Sequence, residues 1–154
     1  MRSTARRKRT RKKRGLMLNN GEALSLVYAV LLGRAKSAGK GAWVGVDLDG
    51  TLAEAGGLYT ENGCYDLTHV GKPVQAILTL VKDLLAAGVQ VKIFTARVEF
   101  GAGIYRPLEI WMGMQGLPCL PITNKKDLRC VGLVDDIAFG VAWNQGRLRG
   151  SASV

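Results

Sequence analysis

Two aspartates separated by one residue follow a buried apolar run, and they carry the clearest chemical signal in the chain. The run at residues 42–46 is typical of a core strand, and the sequence DLDGT follows it at residues 47–51. Asp47 can project over the sheet edge while Asp49 is carried onto the turn, so both carboxylates can reach one substrate. Carboxylates this close can divide their roles, because one stays ionised while the other holds a proton. The pattern predicts a metal-dependent phosphoryl-transfer site, with a simple Asx turn as the alternative interpretation.

Three later apolar runs also end in polar residues that suit phosphate chemistry. They lie at residues 89–94, 120–122 and 131–134. The polar residues that follow them are, in chain order, Thr95, Lys125 with Lys126, and Asp135 with Asp136. A hydroxyl and nearby N–H groups suit phosphate oxygens, and an ammonium group attracts a dianion. The ordered set is a much stronger signal for a phosphoryl-transfer site than any one of its members.

Arg97 and His69 each have a functional and a structural interpretation. Arg97 follows Thr95 at a strand end, where its guanidinium can bind a second phosphate or a nucleotide oxygen of a substrate. The alternative for Arg97 is a surface salt bridge with Glu99. His69 can contact substrate, but a lone histidine before a helix is more often a structural hydrogen-bonding residue, which is the interpretation we favour.

Together these groups resemble the haloacid dehalogenase-like (HAD) hydrolase superfamily over roughly residues 42–143. The similar motifs are DLDGT at residues 47–51, Thr95 within FTAR, Lys126 within TNKKD, and VDD at residues 134–136. The segments HVGKP, IFTARV and ITNKKD are similar to those of small, capless members of the phage or prophage type. The resemblance implies a HAD-like catalytic domain without a large cap domain.

The resemblance also implies roles for individual residues. Asp47 would be the nucleophile and Asp49 the general acid and base, while Thr95 and Lys126 would bind the phosphoryl group. Lys126 is assigned rather than its neighbour Lys125 because it directly precedes Asp127, as in the subgroup pattern. These roles describe a phosphatase that works through an aspartyl-phosphate on Asp47.

The metal implied by the resemblance is Mg²⁺, held by Asp47, the carbonyl of Asp49 and Asp135, with Asp136 joining the site directly or through water. The donor chemistry agrees, because Mg²⁺ prefers oxygen ligands and keeps several waters. Zinc is not expected, because its usual ligands show no C-x-x-C or H-x-x-x-H spacing. Those residues are Cys64, Cys119, Cys130 and His69.

The elements between the motifs predict a three-layer α/β/α sandwich with a parallel, Rossmann-like sheet. A helix from Pro73 to Gly88 joins the first two strands, and a right-handed crossover makes these strands parallel. A weaker helix is predicted at residues 104–116, and residues 53–71 are predicted to form a flap over the site. The C-terminal ends of the strands should then meet at one edge. Three side chains are predicted to lie in the core: Trp111, Met112 and Trp143.

The positive charge is concentrated at the N-terminus. Nine of the 22 Lys and Arg residues lie within residues 2–14, so most of the net charge of +10 belongs to this segment. We therefore predict a basic, disordered tail at residues 1–20, an N-terminal helix at residues 21–40 capped by Asn20, and a catalytic domain at residues 41–150. The tail is a candidate contact for nucleic acid, and a solvated tail without a partner is the alternative.

Composition limits the cellular context. The apolar run at residues 23–32 is too short to span a bilayer, and a core helix is favoured over a secretion signal. Three cysteines without framework spacing agree with a reducing cytoplasm. The leading hypothesis is a magnesium-dependent phosphatase of a small phosphorylated substrate. The alternatives are a nucleic-acid end-processing phosphatase and a non-catalytic binding module of the same fold.

Overall fold

A parallel sheet is the framework of the computed structural model, which describes residues 19–56, 60–145 and 147–148. Its strands are β1 (Trp43–Val46), β2 (Gln90–Phe94), β3 (Ile122–Thr123) and β4 (Cys130–Val134). They lie in the order β3-β2-β1-β4, and all pairings between them are parallel. The predicted parallel crossover from β1 to β2 is therefore confirmed, and β4 lies at one edge of the sheet.

The helices are α1 (Asn20–Ala38), α2 (Gln75–Ala86) and α3 (Tyr105–Met114). Two 3₁₀ helices, Ala96–Phe100 and Ala102–Ile104, lead from β2 into α3. The predicted cap of α1 was wrong by one residue. Asn19 Oδ1 accepts a hydrogen bond from Glu22 N at 2.9 Å, and Asn19 N donates to Glu22 Oε2 at 2.9 Å, which makes a capping box.

One apolar core joins the sheet to the helices. Val44, Val46, Val91 and Ile93 lie on the same side of the central strands, and each is 2% exposed or less. Buried residues from all three helices belong to the same core: Leu31, Ala35, Leu78, Leu80, Val81, Leu84, Leu108, Trp111 and Met112. The chain is thus a mixed α/β sandwich, as its periodicity predicts.

Two of the three predicted core side chains are buried, and one prediction is wrong. Trp111 and Met112 are 6% and 1% exposed, and Trp111 Nε1 donates a hydrogen bond to Gly71 O at 2.8 Å. Trp143 is instead 81% exposed, because residues 137–143 follow the last strand and do not pack into the core. Among the described residues, no helix is both long and apolar enough to cross a membrane. The predicted tail falls outside the described residues up to residue 18, as do residues 57–59 of the flap.

Candidate active site at the carboxyl edge of the sheet

The end of β1 places Asp47 at the carboxyl edge of the sheet. Asp47 N donates a hydrogen bond to Val134 O at 2.9 Å, which extends the pairing with β4 by one residue. The chain then folds back, since Leu52 N donates to Asp47 O at 3.2 Å and Gly50 N donates to Ala53 O at 2.8 Å. The DLDGT sequence therefore forms a tight turn, and both of its aspartates lie directly after the strand end.

Gly50 has a structural reason to be glycine. Its φ is +91°, in the region that side chains disfavour, and a Cβ at this position would lie 2.7 Å from Asp136 Oδ2. The turn after β1 and the turn after β4 thus approach each other directly. This close approach brings the first and last motifs of the sequence pattern into one site.

A cavity of about 260 Å³ opens at this edge. It is lined by six of the predicted site residues: Asp47, Asp49, Thr95, Arg97, Asp135 and Asp136. The lining thus holds four carboxylates and one guanidinium. The sequence order of the apolar runs correctly predicted that these residues would meet, because the carboxyl ends of parallel strands share one edge.

Asp47 is electrostatically strained in this cavity. Burial raises the pKa of Asp47 from 3.8 to about 6, and the negative charges of Asp135 and Asp136 contribute to the rise. Thr51 opposes the rise, but its buried hydroxyl lies outside hydrogen-bond geometry and has no partner among the described residues. The ionised form of a buried carboxylate with negative neighbours is stabilised by a nearby cation or hydrogen-bond donor.

Asp49 is held by Arg97 in a bidentate ion pair. Arg97 Nη2 donates to Asp49 Oδ1 at 2.6 Å, and Arg97 Nε donates to Asp49 Oδ2 at 2.7 Å. The Arg97 side chain is only 4% exposed, and that of Asp49 is 16% exposed. The predicted alternative for Arg97, a surface salt bridge with Glu99, is wrong. Glu99 instead accepts a hydrogen bond from the Asn124 side chain.

The remaining contacts of Arg97 tie the pair to the flap. Its Nη1 donates to His69 O at 2.7 Å and to Leu67 O at 3.5 Å. His69 is itself held, since its Nε2 lies 2.7 Å from Gly56 O and its N–H donates to Asp66 Oδ1 at 3.2 Å. These hydrogen bonds agree with the structural interpretation of His69. Arg97 lines the cavity with most of its N–H groups occupied, and its substrate-binding role stays a prediction.

Thr95 and Asp135 occupy equivalent turns at the ends of β2 and β4. Thr95 is 2% exposed, and its Oγ1 accepts a hydrogen bond from Arg97 N at 3.2 Å. Asp135 Oδ1 accepts from Ile137 N at 2.8 Å. Each side chain stabilises the turn that follows its strand and also faces the cavity. A side chain that stabilises a turn can therefore also line the cavity.

Lys126 is not among the residues that line this cavity. It is exposed and lines a second groove, beside β4, whose lining also includes Asp135. Its neighbour Asp127 accepts a hydrogen bond from Trp43 Nε1 at 2.8 Å, at the start of β1. The four residues of β1 separate this end from Asp47 by about 13 Å. The assignment of Lys126 to phosphoryl binding stays a prediction, as does the choice between Lys126 and Lys125.

Two aromatic residues that line the cavity are not among the site residues predicted from the sequence. Tyr65 and Phe100 line it, and their ring centroids lie 5.0 Å apart at an interplanar angle of 54°. They are 45% and 48% exposed, so they form an apolar rim on a carboxylate-rich cavity. An aromatic residue in the flap and another just after the second motif were the only sequence signals for this rim.

The cavity has oxygen donors suited to a hard cation. Its lining contains carboxylates and a threonine but no cysteine or histidine. Among the described residues, no three acidic, histidine or cysteine side chains converge as a ready-made metal site. Mg²⁺ is commonly bound by one or two carboxylates, with waters and substrate phosphates completing its shell. The donor set therefore fits Mg²⁺ without a preformed cage.

Comparison of the chain with protein-family models, with curated proteins and with solved structures finds no match.

Proposed function

We propose that this chain is a magnesium-dependent phosphatase of the HAD type, which hydrolyses a phosphomonoester through an aspartyl-phosphate. The observation that supports this most is Asp47, a partly buried carboxylate at the end of a central parallel strand. It shares one cavity with the aspartate two residues on, with Thr95 and with Asp135. The three-layer, Rossmann-like arrangement of the superfamily belongs to the same proposal.

Asp47 acts as the nucleophile. One carboxylate oxygen attacks phosphorus, the bond to the ester oxygen breaks, and the phosphoryl group remains on Asp47 as an acyl phosphate. Water then attacks phosphorus and releases inorganic phosphate, which restores the Asp47 carboxylate. The Thr95 hydroxyl and the N–H groups of its turn bind phosphoryl oxygens, and Lys126 supplies a positive charge if its segment moves to the site.

Asp49 donates a proton to the leaving oxygen and later removes one from the attacking water. Both oxygens of its carboxylate accept hydrogen bonds from Arg97 in the structure. The acid role therefore requires this ion pair to open, or one oxygen to turn toward the substrate. Because Arg97 also binds the carbonyl groups of Leu67 and His69, movement of the flap is the change that releases Asp49.

Mg²⁺ would be held by Asp47, Asp135 and the carbonyl of Asp49, with Asp136 beside them. When bound, it supplies positive charge that offsets repulsion between the carboxylates and the phosphate dianion. The residues fit this role because the cavity has four carboxylates and only one cationic side chain, which is already paired.

The test is a screen of phosphomonoesters and nucleotides with Mg²⁺ or with EDTA. Phosphate release that requires Mg²⁺ and disappears in Asp47→Asn supports the proposal. Asp83→Asn is the matched control, because Asp83 is an exposed aspartate on α2 that does not line the cavity. Full activity in EDTA would remove the metal from the proposal, and activity that survives in Asp47→Asn would remove the nucleophile. No turnover of any substrate would favour the non-catalytic binding module.

A nucleic-acid end-processing phosphatase is the second candidate, and the aromatic rim favours it. Tyr65 and Phe100 are exposed beside the cavity, where a terminal base can stack on them. The nine basic residues within residues 2–14 can contact the phosphates of the same strand.

Deletion of residues 2–14 distinguishes the two candidates. If the substrate is a small phosphomonoester, its turnover is unchanged and phosphorylated oligonucleotides are poor substrates of both proteins. If the substrate is a polynucleotide end, the full chain acts on 3′- or 5′-phosphorylated oligonucleotides. This activity should fall steeply with salt and after the deletion, because the contacts act through counterion release.

A further inference from the structure

The segment that follows the last strand has the pattern of a strand without being one. Its odd-numbered positions are large and apolar, and they are 79%, 83%, 52% and 81% exposed at Ile137, Phe139, Val141 and Trp143. The positions between them are Ala138, Gly140 and Ala142. A period of two with one apolar face is the signature of a half-buried strand. Within the described residues, the segment pairs only near its end, where Val141 forms an isolated antiparallel bridge with Leu148 and Ala142 N donates a hydrogen bond to Arg147 O at 2.8 Å.

The outer edge of β4 is open beside this segment. Val134 O accepts a hydrogen bond from Asp47 N, so the backbone of Val134 faces β1. By the alternation of a parallel strand, Leu133 turns its N–H and C=O away from β1. Val131 O also points outward, where it accepts a hydrogen bond from Arg34 Nη1 at 3.3 Å. No strand pairs with this edge in the described part of the chain, and such an edge is a template for another strand.

A groove joins these two features. Its walls are α1 and the segment after β4, and its floor is the outer edge of β4. Residues that line it include Val30, Gly33, Arg34, Leu133, Val141 and Trp143. An extended chain bound here would gain backbone hydrogen bonds from β4 and apolar contacts from α1.

Two occupants from within the same chain are disfavoured. Only Asp135 and Asp136 separate β4 from Ile137, and a hairpin this tight needs residues with positive φ, which neither aspartate has. The bond from Ile137 N to Asp135 Oδ1 also directs the chain out of β4. The groove is lined by two cationic side chains, Arg34 and Lys126, and by one carboxylate, Asp135, so the charge of the basic segment at residues 2–14 is not complementary to it.

We propose that the occupant is a second copy of this chain. The segment at residues 137–143 of each copy lies along the β4 edge of the other, in a reciprocal exchange about a twofold axis. In the described part of each chain, the outer edge of β4 has no partner strand, and the strand-like segment pairs only at Val141 and Ala142, so a single symmetric contact can satisfy both. The exchange covers four exposed apolar side chains that otherwise remain in water.

The first test is the mass of the full-length protein in solution, measured over a range of concentrations by light scattering after size exclusion. High salt screens the charges of the basic segment. We expect twice the 16.6 kDa of one chain. The double variant Phe139→Asp and Trp143→Asp should weaken dimerisation by at least about 100-fold, because charges replace buried apolar anchors. Leu128→Asp should leave the dimer intact, because Leu128 is fully exposed and does not line the groove.

The second test separates strand exchange from simple contact between apolar patches. Leu133→Pro removes an outward N–H and leaves the pairing with β1 intact, so it should block the edge and give a monomer. A mixture of Leu133→Pro with the double aspartate variant should form heterodimers, because one intact segment then meets one intact edge. Circular dichroism checks that each variant is folded.

Three outcomes would overturn the exchange. They are a wild-type protein that stays monomeric at every concentration, a double aspartate variant that still dimerises, and folded variants that do not associate when mixed. If Leu133→Pro does not fold, the wild-type mass and the double aspartate variant decide the question by themselves. None of these measurements depends on the proposed phosphatase activity.

Discussion

An aspartate lies at each end of β1: Asp127 contacts Trp43 at the start of the strand, and Asp47 follows its last residue. The two carboxylates are in opposite electrostatic environments. At the start of the strand, the hydrogen bond from the Trp43 indole lowers the pKa of Asp127, and the Arg129 N–H and the Lys92 ammonium contribute. At the other end, burial raises the pKa of Asp47 to about 6, and neighbouring carboxylates contribute. The charge of Asp127 is compensated by groups of the same chain. The negative charges around Asp47 are not, and a substrate or a cation can compensate them.

The contacts of the two ends show the same difference. Lys92 Nζ lies 4.2 Å from the centroid of the Trp43 ring and 3.9 Å from Asp127 Oδ2, so cation, ring and carboxylate form one group. At the carboxyl edge, the only cationic side chain that lines the cavity is that of Arg97, and it already forms an ion pair with Asp49. The comparison therefore predicts that substitutions at the start of β1 affect stability and those at its end affect activity.

The largest expected effect is the loss of turnover in Asp47→Asn. The substitution replaces the proposed nucleophile by a neutral side chain of the same shape, and kcat should fall by at least ~10³-fold. Asp127→Asn should keep the kcat of wild type in the fraction that is folded. Phosphate release under saturating Mg²⁺ measures both variants. Equal losses in the two variants would contradict the division of roles between the ends of β1.

The sequence predicted those structural features that depend on a local residue pattern. The alternation at residues 89–94 predicts β2, and parallel pairing then brings Thr95 to the edge where Asp47 lies. Glu22 also indicates which residue caps α1, because it lies three residues after Asn19, as a capping box requires.

The parts that the sequence could not predict depend on distant contacts. Arg97 and Asp49 are 48 residues apart, and nothing local distinguishes their ion pair from one with nearby Glu99. The hydrogen bond between Trp43 and Asp127 spans 84 residues. Trp143 was expected in the core because of its residue type, yet burial needs a neighbouring element that the described chain does not provide at this position.

The next effect in size is the loss of stability in Trp43→Phe. Trp43 is 1% exposed, and phenylalanine would lose the hydrogen bond to Asp127 and leave a small cavity. The free energy of unfolding should fall by about 2–3 kcal/mol. Leu128→Ala is the control, because the Leu128 side chain is fully exposed, and it should change the free energy by less than about 0.5 kcal/mol. Urea titration of both variants checks this prediction, and equal stabilities would show that the start of β1 is not a stabilising end.

A smaller effect is expected for Asp135→Ala at the carboxyl edge. This substitution removes one proposed oxygen ligand, so the Mg²⁺ concentration that gives half-maximal activity should rise at least about tenfold. Glu54→Ala is a suitable control, because Glu54 is an exposed acidic residue that does not line the same cavity. An unchanged Mg²⁺ requirement in Asp135→Ala would exclude this carboxylate from the metal site.

The smallest expected effect is a gain in stability when Asp47 is neutralised in the absence of divalent cations. The pKa of Asp47 is raised in the folded state from 3.8 to about 6, so between these values the folded protein binds more protons than the unfolded chain. Stability from this group is therefore lost as pH rises from about 4 to about 6. Asp47→Asn avoids the loss and should be more stable by about 1 kcal/mol at pH 7, after allowance for partial exposure of the carboxyl group.

Unfolding in EDTA at pH 4 and pH 7 measures this gain. The difference between wild type and Asp47→Asn should be present at pH 7 and should disappear at pH 4, where the wild-type carboxyl group is mostly protonated in the folded protein. Asp127→Asn should show the opposite sign, because the pKa of Asp127 is lowered and its ionised form stabilises the fold. A loss of stability in both variants at pH 7 would mean that Asp47, like Asp127, is satisfied by contacts within the chain. A gain in Asp47→Asn alone would show that the fold bears a cost at one end of β1 that only a bound cation or substrate offsets.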